Sequence, residues 1–256
     1  RGLGDVYKRQ VIMDINNGEI FALASSPDFN ANKERGELGK NKDSSIYFNR
    51  VVQGVYEMGS TFKIFSVAQG LEKDLFTLDS LIDTRAFRIN SRKIEDKYKF
   101  NNESSIYEII VRSSNVGSAR LALMVGEKGL KEIFSKLGLL EPVRLELREA
   151  NTTRPILPKN WRDITLATVS YGYGISVSLL HLAKAYAILG NGGLDIVPTI
   201  LKKNHNSQSG SRVLKKTTSD EMLKLLEAVV TDQRGTARIL RSKYYRIGGK
   251  TGTAEK

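Results

Sequence analysis

The chain has 256 residues, 40% of them hydrophobic, so it is long enough for one large domain or two small ones with a packed core. It contains no cysteine, which excludes disulfides, thiolate metal ligands and a cysteine nucleophile. The formal charge is +12, but the basic residues are spread along the chain without a nucleic-acid-binding motif, which favours a solvated basic surface over nucleic-acid binding.

The two ends of the chain are predicted to lie outside a complete domain. Residues 1–10 have no periodicity that leads into the next strand, resemble sequencing-adapter readthrough, and are predicted to be a non-native lead. We therefore place the domain at residues 11–256 and expect it to be incomplete at its C-terminus, because the chain stops at Lys256, inside what reads as a strand that begins near Tyr245. No stretch has the roughly 18 uninterrupted apolar residues of a membrane span, and the first residues lack the pattern of a secretion signal.

Strand and helix signals alternate along the rest of the chain. Apolar runs at 11–14 and 20–24 flank Asn16-Asn17-Gly18, a strong turn signal, and predict a β-hairpin. The segment 60–71 is apolar around its circumference, which is typical of a buried helix. Further helices are predicted at 106–111, 116–125, 130–137, 179–189 and 220–230.

A strand is predicted again at 245–250. Strands at both ends with helices between them predict an α+β domain, in which an antiparallel sheet pairs the two ends and is flanked by helices. The polar stretch 202–216 is predicted to be an exposed connection between helices. The two histidines, His181 and His205, have no metal-ligand spacing, and His181 is expected to face a helix surface, so we predict no metal site and no cofactor.

Three short motifs occur once each in the chain: Ser60-Thr61-Phe62-Lys63, Ser113-Ser114-Asn115 and Lys250-Thr251-Gly252. Residues i and i+3 share a helix face, so Lys63 is expected beside Ser60. A lysine can remove a serine proton only when burial or a nearby cation lowers its pKa, and the apolar helix and Lys250 could supply these. The motifs therefore indicate a serine acyl-transfer site.

Each motif taken alone also has a structural interpretation. Ser60 could be a helix N-cap and Lys63 a lysine whose stem is buried and whose ammonium reaches water. The second motif lies between two helical patterns, where serine and asparagine are common as caps. The third motif follows Gly248-Gly249, and small residues on a strand edge let a ligand backbone lie close. The joint pattern favours function over these interpretations.

The motifs and their surroundings resemble the transpeptidase domain of class B penicillin-binding proteins, within the penicillin-recognising serine acyltransferases. The resemblance covers residues 11–256, and it implies a penicillin-binding-protein/serine β-lactamase-like fold. Residues 113–117 and 161–175 are most similar to division-specific members rather than elongation members. Four further segments carry the resemblance: 56–63, 172–177, 191–193 and 235–237.

The resemblance implies a role for each matching residue. Ser60 would attack a D-Ala-D-Ala peptide bond of a peptidoglycan stem, release D-Ala and form an acyl-enzyme that an amine of another stem resolves, and β-lactams would trap it. Lys63 would take the serine proton, Ser113 would pass it to the leaving amine, and Asn115 would hold the substrate amide and Lys63. The substrate carboxylate would meet the third motif, namely Lys250, Thr251, Gly252 and Thr253. Backbone N–H groups of Ser60 and Thr253 would form an oxyanion hole.

The resemblance also implies partners and a location, and it leaves competing functions open. Division-machinery membrane proteins, including a glycosyltransferase, and the periplasmic face of the inner membrane are implied by it alone. Met58 departs from the proline that relatives often have there. An elongation-type transpeptidase, a D,D-carboxypeptidase, a serine β-lactamase, a β-lactam sensor and a non-catalytic division scaffold are the alternatives. Glu149-Ala150-Asn151 does not match the second-base segment of class A β-lactamases.

Overall fold

A computed structural model describes residues 8–30, 32, 46–203 and 210–253 of the chain. In these ranges the strands are β1 (Lys8–Met13), β2 (Ile20–Ser26), β3 (Leu81–Asp83), β4 (Phe87–Ile89), β5 (Arg92–Ile94) and β6 (Glu103–Ser105). The helices are α1 (Lys63–Glu72), α2 (Ile106–Val111), α3 (Asn115–Lys136), α4 (Arg148–Thr152), α5 (Asp163–Ser170), α6 (Leu179–Gly190) and α7 (Lys216–Thr231). Two 3₁₀ turns, Gly59–Phe62 and Arg238–Leu240, precede α1 and follow α7.

The predicted hairpin is present, and it is longer than the sequence indicated. β1 and β2 pair antiparallel, and the turn between them places Gly18 at a φ of 81°. A side chain on Gly18 would collide with the carbonyl oxygen of Val197, so only glycine fits there. β1 begins at Lys8, three residues before the predicted start, so 8–10 pair with β2. Residues 1–7 lie outside the described residues, and the non-native origin of the lead stays a prediction.

The described strands form three antiparallel pairs, β1 with β2, β3 with β6, and β4 with β5. The prediction of a strand at 245–250 is wrong for the described chain, and so is the pairing of the two ends. A strand needs a neighbouring backbone, and this segment lies on α7 instead. The Gly249 N–H donates to the Leu226 carbonyl at 3.0 Å, and a Cβ on Gly248 would lie 3.0 Å from the Glu227 nitrogen.

The main core surrounds α1, which packs against α3 and α7. Phe62, Phe65 and Phe134 meet edge to face with ring centroids 5.0–6.0 Å apart. Each such pair stabilises the fold by about 0.5–1.5 kcal/mol beyond the area that it buries. The core therefore fixes the helix that begins three residues after Ser60.

The helices predicted at 116–125 and 130–137 form one element, α3, interrupted at Gly126, where φ is 72°. α3 ends in a Schellman motif, with Gly138 in the left-handed conformation. The N–H of Leu139 donates to Phe134 O at 2.8 Å and that of Gly138 to Ser135 O at 3.0 Å. The ends of the helices at 106–111, 179–189 and 220–230 agree with the prediction to within a few residues.

The expectation that His181 faces a helix surface is wrong, because its side chain is only 1% exposed. Its ring contacts Ser178 Oγ at 2.6 Å and the Glu141 carbonyl at 3.0 Å, and burial lowers its pKa to about 4. His181 is therefore a neutral core residue. His205 lies outside the described residues. Among those described, no group of three or more His, Asp or Glu side chains could hold a metal ion.

Within the described ranges, no helix combines the length and the apolar character that a membrane crossing requires.

Candidate active site

Ser60 lies in the 3₁₀ turn Gly59–Phe62, and α1 begins three residues later than its predicted start. The turn is fixed from two sides, because the Thr61 hydroxyl donates to Met58 O at 2.9 Å and the hydroxyl of the half-buried Tyr186 donates to Thr61 O at 2.9 Å. As the second residue of a helical turn, Ser60 has an N–H group without an intrahelical acceptor. Such an N–H is available to a developing oxyanion.

The segment 172–177 packs along the chain that leads into this turn. Tyr56 and Val177 exchange two main-chain hydrogen bonds, at 2.9 and 3.1 Å, and the Gly59 N–H donates to Gly172 O at 3.3 Å. Gly172 has a φ of 84°, and a Cβ there would lie 2.1 Å from the Gly59 carbonyl oxygen. The Gly174 N–H donates to Glu57 Oε1 at 2.6 Å. The close approach of two glycines therefore sets the position of Ser60.

Lys63 is the first residue of α1, and its side chain is only 1% exposed. Its ammonium donates to the Ser113 carbonyl at 2.6 Å and to Ser113 Oγ at 3.0 Å. Among the described residues, no hydrogen bond joins it to Ser60 or Asn115. The predicted neighbour of Ser60 is thus on the expected helix, and its ammonium is turned towards the second motif.

Ser113 lies between two lysines. Its hydroxyl is 3.0 Å from Lys63 Nζ and 3.0 Å from Lys250 Nζ, so one oxygen accepts from both ammonium groups. This hydroxyl joins the first, second and third motifs in space. Residues that are 50 and 137 positions apart in the sequence are therefore brought together at one atom.

The backbone of Ser113 is unusual, because it has a φ of 65° although it is not glycine. It occupies the left-handed position that follows the C-terminus of α2. The N–H of Ser114 donates to Ile109 O at 2.8 Å and that of Ser113 to Ile110 O at 3.2 Å, which is a Schellman motif. A serine here costs about 1 kcal/mol relative to glycine, and strain of this kind concentrates at functional sites.

The second motif continues into the start of α3. Ser114 is the N-cap, and its hydroxyl accepts from the Gly117 N–H at 2.9 Å. Asn115 is the first helical residue, and its N–H donates to the carboxylate of Asp96. The same carboxylate accepts from the Ser114 hydroxyl at 2.6 Å and from the Val116 N–H at 3.2 Å.

The third motif lies against the turn that carries Ser60. A Cβ on Gly252 would lie 3.0 Å from Met58 O and 2.8 Å from Thr61 Cγ2, so only a glycine allows this approach without displacement. The Thr251 hydroxyl donates to Thr236 Oγ1 at 2.9 Å. Thr253, the last described residue, is exposed. The motif thus borders the site as an open edge.

The amines of Lys63 and Lys250 are so close together that protonating both costs free energy. The pKa of Lys63 is lowered from 10.5 to about 7, chiefly by burial and then by the charge of Lys250, while the Asp96 carboxylate opposes both. Burial lowers the pKa of Lys250 to about 8. Near neutral pH, Lys63 can therefore be a neutral amine while Lys250 stays charged.

Comparison with known proteins identifies the family of this chain. Residues 10–256 match the family model described as penicillin binding protein transpeptidase domain. The chain belongs to this family. Two similar relatives are the probable peptidoglycan D,D-transpeptidase FtsI of Caulobacter vibrioides, 38% identical over 96% of this chain and 41% of the relative, and FtsI of Escherichia coli, 32% identical over 96% of this chain and 40% of the relative. The chain therefore spans about two fifths of the length of these relatives.

Solved structures show the same fold for this transpeptidase domain. A peptidoglycan glycosyltransferase from Burkholderia ambifaria superposes with a TM-score of 0.83 at 31% identity, covering 97% of this chain and 73% of that one. The TP domain of penicillin-binding protein 3 from Burkholderia pseudomallei gives 0.84 at 30% identity, covering 98% and 70%. The α+β, penicillin-binding-protein-like fold expected from the sequence is thus confirmed.

Sequence reasoning did not single out two residues at the site of this transpeptidase domain. Asp96 lies in the polar stretch 95–99 without a motif, and its only sequence signal is that it follows the apolar Ile94 by two residues. Glu57 lies in the segment 56–63, which carries the family resemblance without a role for this residue, and its carboxylate accepts from the Gly174 N–H. Both act through tertiary contacts that no local pattern encodes.

The segment Glu149-Ala150-Asn151, compared above with class A β-lactamases, makes hydrogen bonds to residues near it in the sequence. The Asn151 side chain accepts from the Leu145 N–H at 3.1 Å and donates to its carbonyl at 2.7 Å. The Glu149 carbonyl accepts from the hydroxyls of Thr152 and Thr153. The asparagine of this segment therefore closes a turn around α4.

Proposed function

We propose that this chain is the acyl-transfer domain of a serine D,D-transpeptidase that cross-links peptidoglycan stem peptides during septal wall synthesis and is a target of β-lactams. The observation that carries the proposal is the Ser113 hydroxyl, 3.0 Å from the ammonium groups of both Lys63 and Lys250. The names of the relatives, peptidoglycan D,D-transpeptidase FtsI, support the substrate class and the septal assignment.

The first step forms an acyl-enzyme. Neutral Lys63 takes the proton of the Ser60 hydroxyl, and Ser60 Oγ attacks the carbonyl carbon between the last two D-Ala residues of the stem. The N–H groups of Ser60 and Thr253 donate to the tetrahedral oxyanion, where one donor is worth about 3 kcal/mol. The C–N bond then breaks. The proton passes from Lys63 through the Ser113 hydroxyl to the departing amine, and D-Ala leaves as a neutral-amine product.

The second step reverses the first with a different amine. An acceptor amine of another stem attacks the ester carbon, its proton returns through Ser113 to Lys63, and the C–O bond to Ser60 breaks as Oγ regains a proton. The product is a cross-linking amide, and the enzyme is unchanged. No external cofactor is needed to balance either step.

The remaining site residues bind rather than react. The charged Lys250, with Thr251, Gly252 and Thr253, would receive the terminal carboxylate of the stem, for which an ammonium beside hydroxyl and N–H donors is suited. Asn115, at the start of α3, would hold the substrate amide and Lys63. Because β-lactams carry a carboxylate and a strained amide, the same groups would direct them to Ser60.

Location and partners belong to the same proposal. An enzyme that acts on peptidoglycan stems must face the wall, so we place it at the periplasmic face of the inner membrane, with a membrane anchor and a C-terminal continuation outside residues 11–256. A glycosyltransferase and other division-machinery membrane proteins are its proposed partners. The FtsI names of its relatives support this assignment over the elongation role.

The test is covalent labelling with a fluorescent penicillin, followed for hours, in the protein with its natural flanking sequence. We expect a persistent label that Ser60→Ala abolishes. Ser66→Ala is the matched control, because the Ser66 hydroxyl is buried on α1 and has no hydrogen-bond partner among the described residues. It should be labelled like the wild type.

The alternatives give different outcomes. Rapid loss of the label would indicate a β-lactamase, and a folded protein that is never labelled would indicate a scaffold. Incubation with a synthetic pentapeptide stem and an added acceptor amine distinguishes the transpeptidase, carboxypeptidase and sensor functions. D-Ala release with a cross-linked product supports the proposal, release without cross-linking indicates a carboxypeptidase, and a persistent label without either product indicates a sensor.

A further inference from the structure

Asp96 lies at the junction between α2 and α3, beside the residues assigned to proton transfer. Its Oδ2 accepts from the Ser114 hydroxyl at 2.6 Å, and its Oδ1 accepts from the N–H groups of Asn115 and of Val116, the latter at 3.2 Å. Three donors thus converge on one carboxylate. They all belong to the three residues that directly follow Ser113.

A hairpin delivers Asp96 to this place. β4 and β5 pair antiparallel, and Ile94 at the end of β5 is buried in a small apolar cluster with Val116, Ala119 and Ala167. Two of these residues lie on α3 and one on α5. The hairpin is therefore docked on the start of α3, and the chain leaving β5 puts the Asp96 carboxylate over the first helical N–H groups.

The junction needs an external restraint. Ser113 holds a left-handed backbone that serine seldom adopts, and its carbonyl and hydroxyl both bind Lys63. A shift of Ser114 would move both acceptors relative to the ammonium. Since the Ser114 hydroxyl donates to Asp96 while it caps α3 at the Gly117 N–H, Asp96 fixes the residue on which Ser113 depends.

We propose that Asp96 is a positioning residue of the acyl-transfer site: its carboxylate fixes the start of α3 so that Ser113 meets Lys63, and its negative charge acts on the Lys63 ammonium across the junction. The inference rests on the proposed function, since it assigns Asp96 a part in the same reaction. Asp96 touches no reacting atom.

Two charged groups of the described chain act on the Lys63 ammonium. These are Lys250, which shares the Ser113 hydroxyl with it, and Asp96 across the junction. Burial and Lys250 lower the pKa of Lys63, whereas Asp96 raises it. Removing the charge of Asp96 must therefore lower that pKa, so that Lys63 loses its proton at a more acidic pH.

If the Asp96 carboxylate only capped α3, its removal would have a different effect. Loss of such a cap lowers the unfolding temperature and leaves the pH dependence of the chemistry unchanged. A positioning residue changes both the maximal rate and the pH dependence. The pH profile of acylation therefore separates the two roles.

The experiment measures the second-order rate constant of labelling by a fluorescent penicillin from pH 5.5 to 9.5, for the wild type and Asp96→Asn with natural flanking sequence. We expect the maximal rate to fall about tenfold, because small displacements of reacting groups are costly. The acidic limb of the profile should move to lower pH, so that the rate at pH 6 becomes a larger fraction of the maximum.

Glu95→Gln is the matched control, because it removes the same charge one residue away. Glu95 is exposed and pairs with Lys93 on the surface, and within the described ranges no hydrogen bond or ion pair joins its side chain to the junction. It should leave the maximal rate and both limbs unchanged. A shift in Glu95→Gln as large as in Asp96→Asn would overturn the inference, since the effect would then come from net charge alone.

Asp96→Glu separates charge from position and carries the test if Asp96→Asn does not fold. It keeps the charge but moves it by one methylene, so the maximal rate should fall while the acidic limb stays in place. An unchanged maximal rate in both variants would overturn the positioning role.

A direct titration of Lys63 keeps this inference separate from the proposed function. The ¹³Cε signal of Lys63, assigned by its loss in Lys63→Arg, should titrate at lower pH in Asp96→Asn than in the wild type. An unchanged titration overturns the inference even if the wild type is labelled. If the wild type is never labelled but the titration shifts, the transpeptidase proposal fails and the coupling between Asp96 and Lys63 stands.

Discussion

The two sides of the candidate site are built in different ways. Lys63 begins a core helix, and Ser113 closes a helix C-terminus, so both are fixed by main-chain hydrogen bonds and by buried neighbours. The opposite side, 250–253, has no helix or ladder in the described structure. It is placed by one main-chain bond at Gly249, the bond from Lys250 Nζ to Ser113 Oγ, one bond between threonine hydroxyls and the contact of Gly252 with the Ser60 turn.

The two sides also differ in their proposed roles, one in proton transfer and the other in substrate binding. The groups assigned to proton transfer lie on the rigid side, where small displacements are prevented by the core. The groups assigned to the substrate carboxylate lie on the side with fewer restraints. Substitutions on the rigid side should therefore change stability and rate together.

Lys63→Met tests the rigid side and should have the largest effect. Labelling by a fluorescent penicillin should fall about 10³-fold, because a general base contributes roughly 10²–10⁴-fold to the rate. The free energy of unfolding should rise by about 1 kcal/mol at pH 6, since a buried ammonium is replaced by an apolar chain of similar shape. Urea unfolding at pH 6 and pH 9 measures the second effect.

The sign of the pH dependence follows from the lowered pKa of Lys63, about 7 when folded and 10.5 as the ordinary value. Between these values the unfolded chain binds a proton that the folded chain does not, so wild-type stability rises with pH. The advantage of Lys63→Met should thus be larger at pH 6 than at pH 9. Lys73→Met, at the exposed end of the same helix, is the control and should change neither quantity appreciably. A Lys63→Met variant less stable than the wild type at pH 6 would contradict the argument.

Gly172→Ala tests the contact that places Ser60 between the two sides. Its Cβ would lie 2.1 Å from the Gly59 carbonyl oxygen, a backbone atom that can move only with the turn. We expect labelling to fall about 10²-fold and the free energy of unfolding to fall by about 2–4 kcal/mol. Labelling rates and urea unfolding measure both.

Gly174→Ala supplies the control for the backbone conformation. Gly174 has a φ of 78°, similar to the 84° of Gly172, but the nearest atom to its Cβ would be Thr168 Oγ1 at 3.8 Å. The free energy of unfolding of this variant should fall only by the cost of placing alanine in the left-handed conformation, about 1–2 kcal/mol. Equal effects of the two substitutions would show that backbone conformation, and not contact with Gly59, sets the position of Ser60.

The sequence predicted those parts of the fold that local patterns determine. Asn16-Asn17-Gly18 predicted the hairpin, and apolar periodicity predicted α2, α6 and α7 closely. The strand at 245–250 failed because a strand is defined by its neighbour, which the periodicity of one segment cannot supply. The prediction that His181 faces a helix surface failed because its burial depends on Ser178 and on the carbonyl of Glu141 from a distant segment.

The motifs indicated the residues of the candidate site but not the contacts between them. The i, i+3 spacing placed Lys63 beside Ser60, but tertiary packing turned its ammonium to Ser113. The three-residue strands β4 and β5 are too short for any periodic signal, so the hairpin that brings Asp96 to the site could not be foreseen. Residue types indicate which chemistry is present, whereas the contacts that tune it depend on the whole fold.

Ser113 and Gly138 show how the rigid side differs from an ordinary helix end. Both follow a helix C-terminus in the left-handed conformation, with φ of 65° and 72°, and both close the same pair of hydrogen bonds. Gly138 is the residue that this position favours. Ser113 instead carries a side chain there, and its hydroxyl binds the two lysines, so a locally less stable residue supplies the central contact of the candidate site.

Comparing Ser113→Gly with Ser113→Ala isolates this strain and gives the smallest effect. Both variants lose the hydroxyl and its bonds to Lys63 and Lys250, and they differ only in a Cβ at a φ of 65°. The glycine variant should be more stable than the alanine variant by about 1 kcal/mol in urea unfolding. Equal stabilities would mean that the α2–α3 junction relaxes once the hydroxyl is gone, and that the bonds to the lysines, rather than the Schellman motif, hold Ser113 in the left-handed conformation.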